Sequence, residues 1–292
     1  MMAFPQFPAT LLPHPLFPRT TVVAEFALPS GSFKDRGAAA VVAAAAARGA
    51  RAVSLDSSGN AGLAVAMAAS RAGLAAVIRV ASISPVKEAL LEAAGARIEK
   101  FATRADAVRA CEDDRDSYDA SHVRNPLFRE GVATLAAAWR ALAPLPGTIF
   151  LPLGNGSLLL GLFDGISRLV QSGDADRMPR LVALQSERCA PIARPSDPGD
   201  GRTIADGCAI LAPRAAPQIL EALARTGGMA IAVSEEEIEE AWRAAWRDGF
   251  PIEPTSALAF AGRARTGEIG DCAIVATGSG LKSPPRVRRG PR

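Results

Sequence analysis

The chain has 292 residues, 49% of them apolar and 22% charged, enough for a sizeable core in one two-lobed unit or two domains. No apolar run approaches the length of a membrane span, and the start of the chain lacks the basic flank and apolar block of a secretion signal. The formal charge of +3 includes Arg286, Arg288, Arg289 and Arg292 in a Pro-rich tail; without those four it is −1, and the body offers no basic face for nucleic acid.

Short β-branched or apolar runs alternate with Ala-rich helical stretches, the pattern of a mostly parallel sheet flanked by helices. Residues 1–18, rich in proline, read as a surface segment, followed by a strand over 20–26 and a helix over 34–48. Strands are predicted over 52–55, 75–80 and 97–101, with helices over 61–72 and 86–94 between them. Two further helices, 104–113 and 126–142, lead to a strand over 148–153 and a helix over 157–171. A strand over 181–185 precedes a Pro-, Gly- and Asp-rich loop at 191–202. The last third holds a strand over 229–233, helices over 235–247 and 255–264, and a strand over 272–276. Ser234 before Glu235, Glu236 and Glu237 is a capping residue with carboxylates on the positive end of the helix dipole. The chain shows no internal repeat.

Only four of the 33 basic residues are lysines: Lys34, Lys87, Lys100 and Lys282. A lysine kept where arginine serves elsewhere points to chemistry that needs a primary amine. The four cysteines, Cys111, Cys189, Cys208 and Cys272, lie far apart without a CxxC pair. They read as core packing in a reducing cytoplasm, with no disulfide framework and no metal site. His122 reads as a loop or helix-cap histidine, and Lys87 as a solvated lysine.

Four motifs stand out. Ser30-Gly31-Ser32-Phe33-Lys34-Asp35-Arg36-Gly37 opens a helix, and Ser57-Ser58-Gly59-Asn60 follows a strand. Gly154-Asn155-Gly156-Ser157 sits between strand and helix, where freed backbone amides make an anion cradle. Thr277-Gly278-Ser279-Gly280-Leu281-Lys282 follows the last strand. Each alone reads equally as a capped helix start, a tight turn or a chain end. Together they supply an amine for a Schiff base, a phosphate loop, an amide for a phenolic oxygen and a hydroxyl for a ring nitrogen. Those are the needs of pyridoxal phosphate.

In this order and spacing the motifs resemble the fold-type II pyridoxal-phosphate enzymes, and among them most closely the threonine synthases, whose members carry NPTGSFKDRG and TGxGLKD. Glu253-Pro254-Thr255-Ser256-Ala257 is similar to that family's EPASA, and the run from Asn125-Pro126 to Gly131 to its NPxRxEG. The resemblance spans residues 22–282. It implies an α/β fold of two open twisted, mostly parallel sheets with flanking helices and the cofactor in the cleft between two lobes. Residues 1–50 and 126–284 would form the large lobe, 51–125 a small mobile lobe, and 285–292 a disordered basic tail. Lys34 would carry the cofactor as a Schiff base and act as the acid–base group at Cα. Asn60 would bond the phenolic oxygen, while Ser57, Ser58, Gly59 and Asn60 would hold the substrate carboxylate. Gly154, Asn155, Gly156, Ser157 and Leu158 would bind the cofactor phosphate, and Thr277 would stand beside the pyridine nitrogen. A homodimer is the family expectation, with no membrane or nucleic-acid partner.

The departures bear on the substrate. The family's NPxR arginine falls on Phe128, with Arg129 one place later, and the residues upstream fall near His122 and Val123. A benzyl group cannot pair with a phosphate dianion, so Arg124 or Arg129 would have to serve, or Phe128→Arg would be needed to build a grip. Ser279 and Ser283 stand where the family has His or Asn and Asp. The implied activity is elimination or replacement on an activated amino acid, O-phosphohomoserine to threonine or a related reaction. The alternatives are a threonine or serine dehydratase, a β-replacement enzyme, and a non-catalytic pyridoxal-phosphate-binding partner protein. A nicotinamide-dependent dehydrogenase does not fit, because the glycine after Gly154-x-Gly156 comes only at Gly161 and no acid ends a following strand.

Overall fold

The computed structural model describes residues 5–267, 269–282 and 285. The chain divides into two compact units. The first comprises Met1–Thr10, Ala27–Leu145 and Asn155–Met178; the second comprises Leu11–Phe26, Pro146–Gly154 and Pro179–Arg292.

The first unit is built on a four-stranded parallel sheet. Its strands are β3 (Ala52–Leu55), β4 (Ala75–Val80), β5 (Ala96–Lys100) and β6 (Tyr118–Asp119), in the order β5-β4-β3-β6. Between them run α2 (Asn60–Arg71), α3 (Pro85–Ala93) and α4 (Arg104–Glu112). Three more helices, α1 (Lys34–Ala47), α5 (Pro126–Arg140) and α6 (Ser157–Ser172), pack α1 on α5 and α5 on α6. These crossings are unusually close, and the sequence explains why. A Cβ at Gly131 would stand 2.2 Å from the Arg36 carbonyl, and one at Gly165 would stand 2.3 Å from that of Ala133. Glycine at those points, with the alanines of α1, lets backbone meet backbone.

The second unit holds a six-stranded sheet in the order β1-β2-β10-β7-β8-β9. Its strands are β1 (Leu11–Pro13), β2 (Thr20–Ala24), β7 (Thr148–Pro152), β8 (Arg180–Ser186), β9 (Met229–Val233) and β10 (Cys272–Ala276). All neighbours are parallel except β1 and β2. Helix α9 (Pro254–Arg265) packs on β7, β8 and β10, with α8 (Glu235–Arg247) beside it; α7 (Ala216–Arg225) lies against β8 and β9. Val22, Phe150, Leu184, Leu258, Phe260 and Ile274 are central to the core. The α8 start is a capping box: Glu237 N–H donates to Ser234 Oγ (3.2 Å) and Ser234 N–H to the Glu237 carboxylate (2.7 Å).

Most expected elements are present within one or two residues. Three were not anticipated. β1 lies inside the segment expected to be irregular, β6 is only two residues long, and α7 follows the Pro-rich loop. The loop at 191–202 is irregular as expected, and the Gln185 side-chain oxygen orders its start by accepting from the amides of Ile192 (3.0 Å) and Ala193 (3.1 Å). Ser283 and the basic tail beyond Pro285 lie outside the described residues. All four cysteines are buried.

Candidate functional site

In the first unit β3 and β6 are parallel neighbours with Ser54 opposite Asp119, so the turns that follow both strands leave the same edge of the sheet. Ligand sites of open parallel sheets form at that carboxyl edge. One turn carries Asp56, Ser57, Ser58, Gly59 and Asn60, all partly buried; the other carries Ser121, His122 and Arg124. Arg124 ties them together, donating to Asp56 (3.2 Å) and to both carboxylate oxygens of Asp119 (3.2 and 3.0 Å). Ser57 Oγ accepts from Gly59 N–H at 3.3 Å. A Cβ on Gly62 would lie 2.2 Å from the Ser57 carbonyl, so glycine lets this turn fold down on the first turn of α2. No side chain caps that helix at Gly59.

Lys34 is the first residue of α1, and its Nζ donates to Ser157 Oγ at 3.2 Å. The same nitrogen lies 4.6 Å from the centre of the Phe33 ring and 5.6 Å from that of Phe128. Ser157 is the first residue of α6, and the residue before it, Gly156, is left-handed at φ +88° and brings no capping side chain. The start of α6 and the positive end of its dipole are therefore left without a capping side chain, beside a lysine amine, the arrangement that suits an anion. Asn155 and Leu158 flank this start, Leu158 being buried.

His122 lies in the turn before α5, as expected of a loop histidine. Its Nδ1 is buried without a hydrogen-bond partner, and its ring meets Phe128 edge-on with centroids 5.9 Å apart. Burial first, then the positive charges of Lys34, Arg104 and Arg124, hold its imidazole well below the usual histidine range, so it is neutral near pH 7. Phe128 itself is 0% exposed, packed on Gly37 of α1. It forms the wall behind Lys34 and His122. An arginine there would be a buried charge, which weighs against the expectation that Phe128→Arg would build a phosphate grip. The two candidate replacements are also engaged: Arg129 makes a two-bond ion pair with Asp164 on α6, and Arg124 is held as above.

In the second unit β7 and β10 are adjacent parallel strands with Ile274 opposite Phe150. Gly154 and Thr277 thus follow the same edge of that sheet. Gly154 is held close by its surroundings: a Cβ there would lie 2.9 Å from the Gly207 carbonyl and 3.2 Å from Cys208 Cα. The Thr277 hydroxyl, 3% exposed, lies 2.9 Å from Ser256 Oγ at the start of α9. Gly278 N–H donates to that same Ser256 oxygen at 3.0 Å. Ser256 was legible only as part of a motif, since nothing in its spacing shows which partner it takes. The same holds for Phe128, whose burial depends on the α1–α5 crossing.

Among the described residues no three His, Cys, Asp or Glu side chains gather as a metal centre, and no helix is long and apolar enough to cross a membrane. Residues 11–280 match the family described as pyridoxal-phosphate dependent enzyme. The threonine synthase of Mycobacterium tuberculosis is 32% identical over 270 residues, covering 88% of this chain and 75% of that one. Among solved structures, a T.th. threonine deaminase superposes with a TM-score of 0.72 at 26% identity, covering 89% of this chain and 87% of that one. A pyridoxal 5'-phosphate-dependent aspartate racemase superposes with a TM-score of 0.77 at 22% identity, covering 95% and 92%; at that identity the likeness concerns the fold alone.

Proposed function

We propose, for a chain that belongs to the pyridoxal-phosphate dependent enzyme family and has its fold-type II architecture, a threonine synthase-like elimination or replacement on an amino acid that carries a leaving group. The observation that carries the reading is the Lys34 Nζ–Ser157 Oγ hydrogen bond of 3.2 Å, which sets a primary amine at the uncapped, glycine-led start of α6. That pairing of amine and anion cradle suits a phosphorylated aldehyde.

Bound pyridoxal phosphate supplies the electron sink that acidifies the Cα–H of an amino acid. The residues that would hold it are Lys34, Asn60, Gly154, Asn155, Gly156, Ser157, Leu158 and Thr277. Backbone amides at the start of α6 bind the phosphate, and Ser157 also orients the Lys34 amine. Lys34 Nζ takes the Cα proton and can return it. Ser57, Ser58, Gly59 and Asn60 bind the substrate carboxylate through the turn and the positive end of α2. Neutral His122 and buried Phe128 leave the surroundings of Lys34 without an unengaged arginine on α5. This favours a substrate whose distal group is small or uncharged, and with it a second reading as a threonine or serine dehydratase. It also makes O-phosphohomoserine a poor substrate.

The test is a screen of the pyridoxal-phosphate-loaded protein against O-phosphohomoserine, O-phosphoserine, threonine and serine, scoring phosphate, ammonia and keto-acid release. Lys34→Ala and Lys34→Arg are expected to abolish every activity and the visible absorption of the bound cofactor. A Lys34→Arg protein that kept that absorption would end the reading. Cofactor binding with no product from any substrate would make the protein a non-catalytic binder.

A further inference from the structure

Three polar groups of the second unit are bonded in a way that restricts where their protons point. Gly278 N–H donates to Ser256 Oγ at 3.0 Å and occupies one of its lone pairs. The Ser256 hydroxyl then has two acceptors in reach: Thr277 Oγ1 at 2.9 Å and the Gly278 carbonyl at 3.3 Å. That carbonyl already accepts from Glu253 N–H at 3.0 Å. Ser256 is 0% exposed and Thr277 3%, so bulk water does not compete for either. Gly278 is tightly seated as well, since a Cβ on it would lie 2.1 Å from Glu253 Oε1.

Each hydroxyl has one proton, which leaves two arrangements. If Thr277 gives its proton to Ser256, Ser256 must turn its own to the longer contact, and Thr277 shows only lone pairs outward. If Ser256 gives its proton to Thr277 Oγ1, the shorter contact is used and the Thr277 proton is left to point away from Ser256. Both arrangements keep the 2.9 Å bond between the two hydroxyls; the second spares the Ser256 proton the long 3.3 Å contact to a carbonyl that already accepts from Glu253, and leaves the Thr277 proton for a further acceptor.

We infer that Ser256 is a positioning residue: it donates to Thr277 Oγ1 and thereby commits the Thr277 hydroxyl as a donor toward the pyridine nitrogen of the cofactor. Ser256 acts through Thr277 and not by its own contact. A donor there stabilises the nitrogen without its proton and makes the ring a milder electron sink, which fits elimination and replacement. The inference rests on the reading above, in which Thr277 stands beside that nitrogen.

The experiment titrates pyridoxal phosphate into apo wild type, Ser256→Ala, Thr277→Val and the double variant, reading the dissociation constant and the visible absorption maximum. Each single change is expected to weaken binding about fivefold to tenfold and to move the maximum in the same direction. The double variant should match Thr277→Val within about twofold, because Ser256 has nothing left to act on. Ser256→Cys, nearly isosteric with a weak donor, should move the maximum part of the way and gives a readout should Ser256→Ala fold poorly. Multiplying losses with an unmoved maximum would mean that Ser256 only supports the Gly278 backbone, and would overturn the inference. So would a Ser256→Ala protein with wild-type affinity and spectrum. A wild type that takes up no pyridoxal phosphate would overturn the functional reading beneath it as well.

Discussion

Lys34 Nζ lies 5.6 Å from the centre of the Phe128 ring, a cation over a side chain that is 0% exposed. The ring is a fixed wall, because Gly37 gives it room: a Cβ at Gly37 would lie 2.2 Å from Phe128 Cδ1. Position 128 therefore belongs to the packing of α5 on α1.

Phe128→Ala is expected to cost about 3–5 kcal/mol of stability in urea unfolding, and Gly37→Ala about 1–3 kcal/mol by overpacking the same contact. Phe128→Arg should lower the urea midpoint at least as far as Phe128→Ala and bring no gain in kcat/KM for O-phosphohomoserine. A stable Phe128→Arg protein with improved kcat/KM would show that the position is open to substrate.

Arg129 serves α5 and α6 through Asp164. Both side chains are only partly buried, so Arg129→Ala should cost about 1 kcal/mol and leave kcat/KM for any phosphorylated substrate within about twofold. A tenfold loss specific to phosphorylated substrates, with stability intact, would assign Arg129 to the substrate instead.

At the anion cradle two substitutions separate backbone from side chain. Gly156 holds φ +88°, so Gly156→Val should disrupt the turn and weaken pyridoxal-phosphate binding strongly. Ser157→Ala leaves the backbone amides in place and removes one side-chain hydrogen bond of about 0.5–1.5 kcal/mol, so it should weaken binding only about twofold to tenfold. Equal affinity in wild type and Gly156→Val, measured by equilibrium titration, would put the phosphate elsewhere.

The two histidines give stability a pH dependence with a defined sign. His122 is held below its ordinary value by burial and by Lys34, Arg104 and Arg124. His14 is lowered by burial and by Arg263, which together outweigh the opposing pull of Asp248. A histidine kept neutral in the fold protonates first in the unfolded chain, near pH 6.5, so stability is full above that pH and falls as the pH drops toward the folded values. The urea midpoint should decline between pH 7 and 5.5, less steeply in His122→Gln and least in the His14→Gln/His122→Gln pair. An unchanged slope in the pair would assign the decline to other groups.

How much was legible in the sequence varies with the range of the forces involved. The strands at β3, β4 and β10 and the start of α8 were visible because apolar runs, β-branched residues and the Ser234–Glu237 box act within a few residues. The signal for α7 is present in the sequence, because Ile219, Ala222 and Leu223 are spaced for one buried face, with Pro217 in the first turn. β1 was not legible, since Leu11-Leu12-Pro13 is extended only through its antiparallel pairing with Thr21-Val22-Val23.

By itself the sequence determined the alternation of strands and helices, the family's motifs and the lysine at the head of α1, because these are written in local periodicity, glycine turns and residue chemistry. Tertiary structure alone decided that Phe128 is a wall, that Arg124 and Arg129 face carboxylates, that His122 keeps an unpartnered nitrogen, and that Ser256 reaches Thr277. Each of those depends on which backbone segments come within a few ångströms of one another. That is set by helix crossings at Gly37, Gly131 and Gly165, by the pairing of β3 with β6 and by the packing of α9 on β10, which no short stretch of chain records.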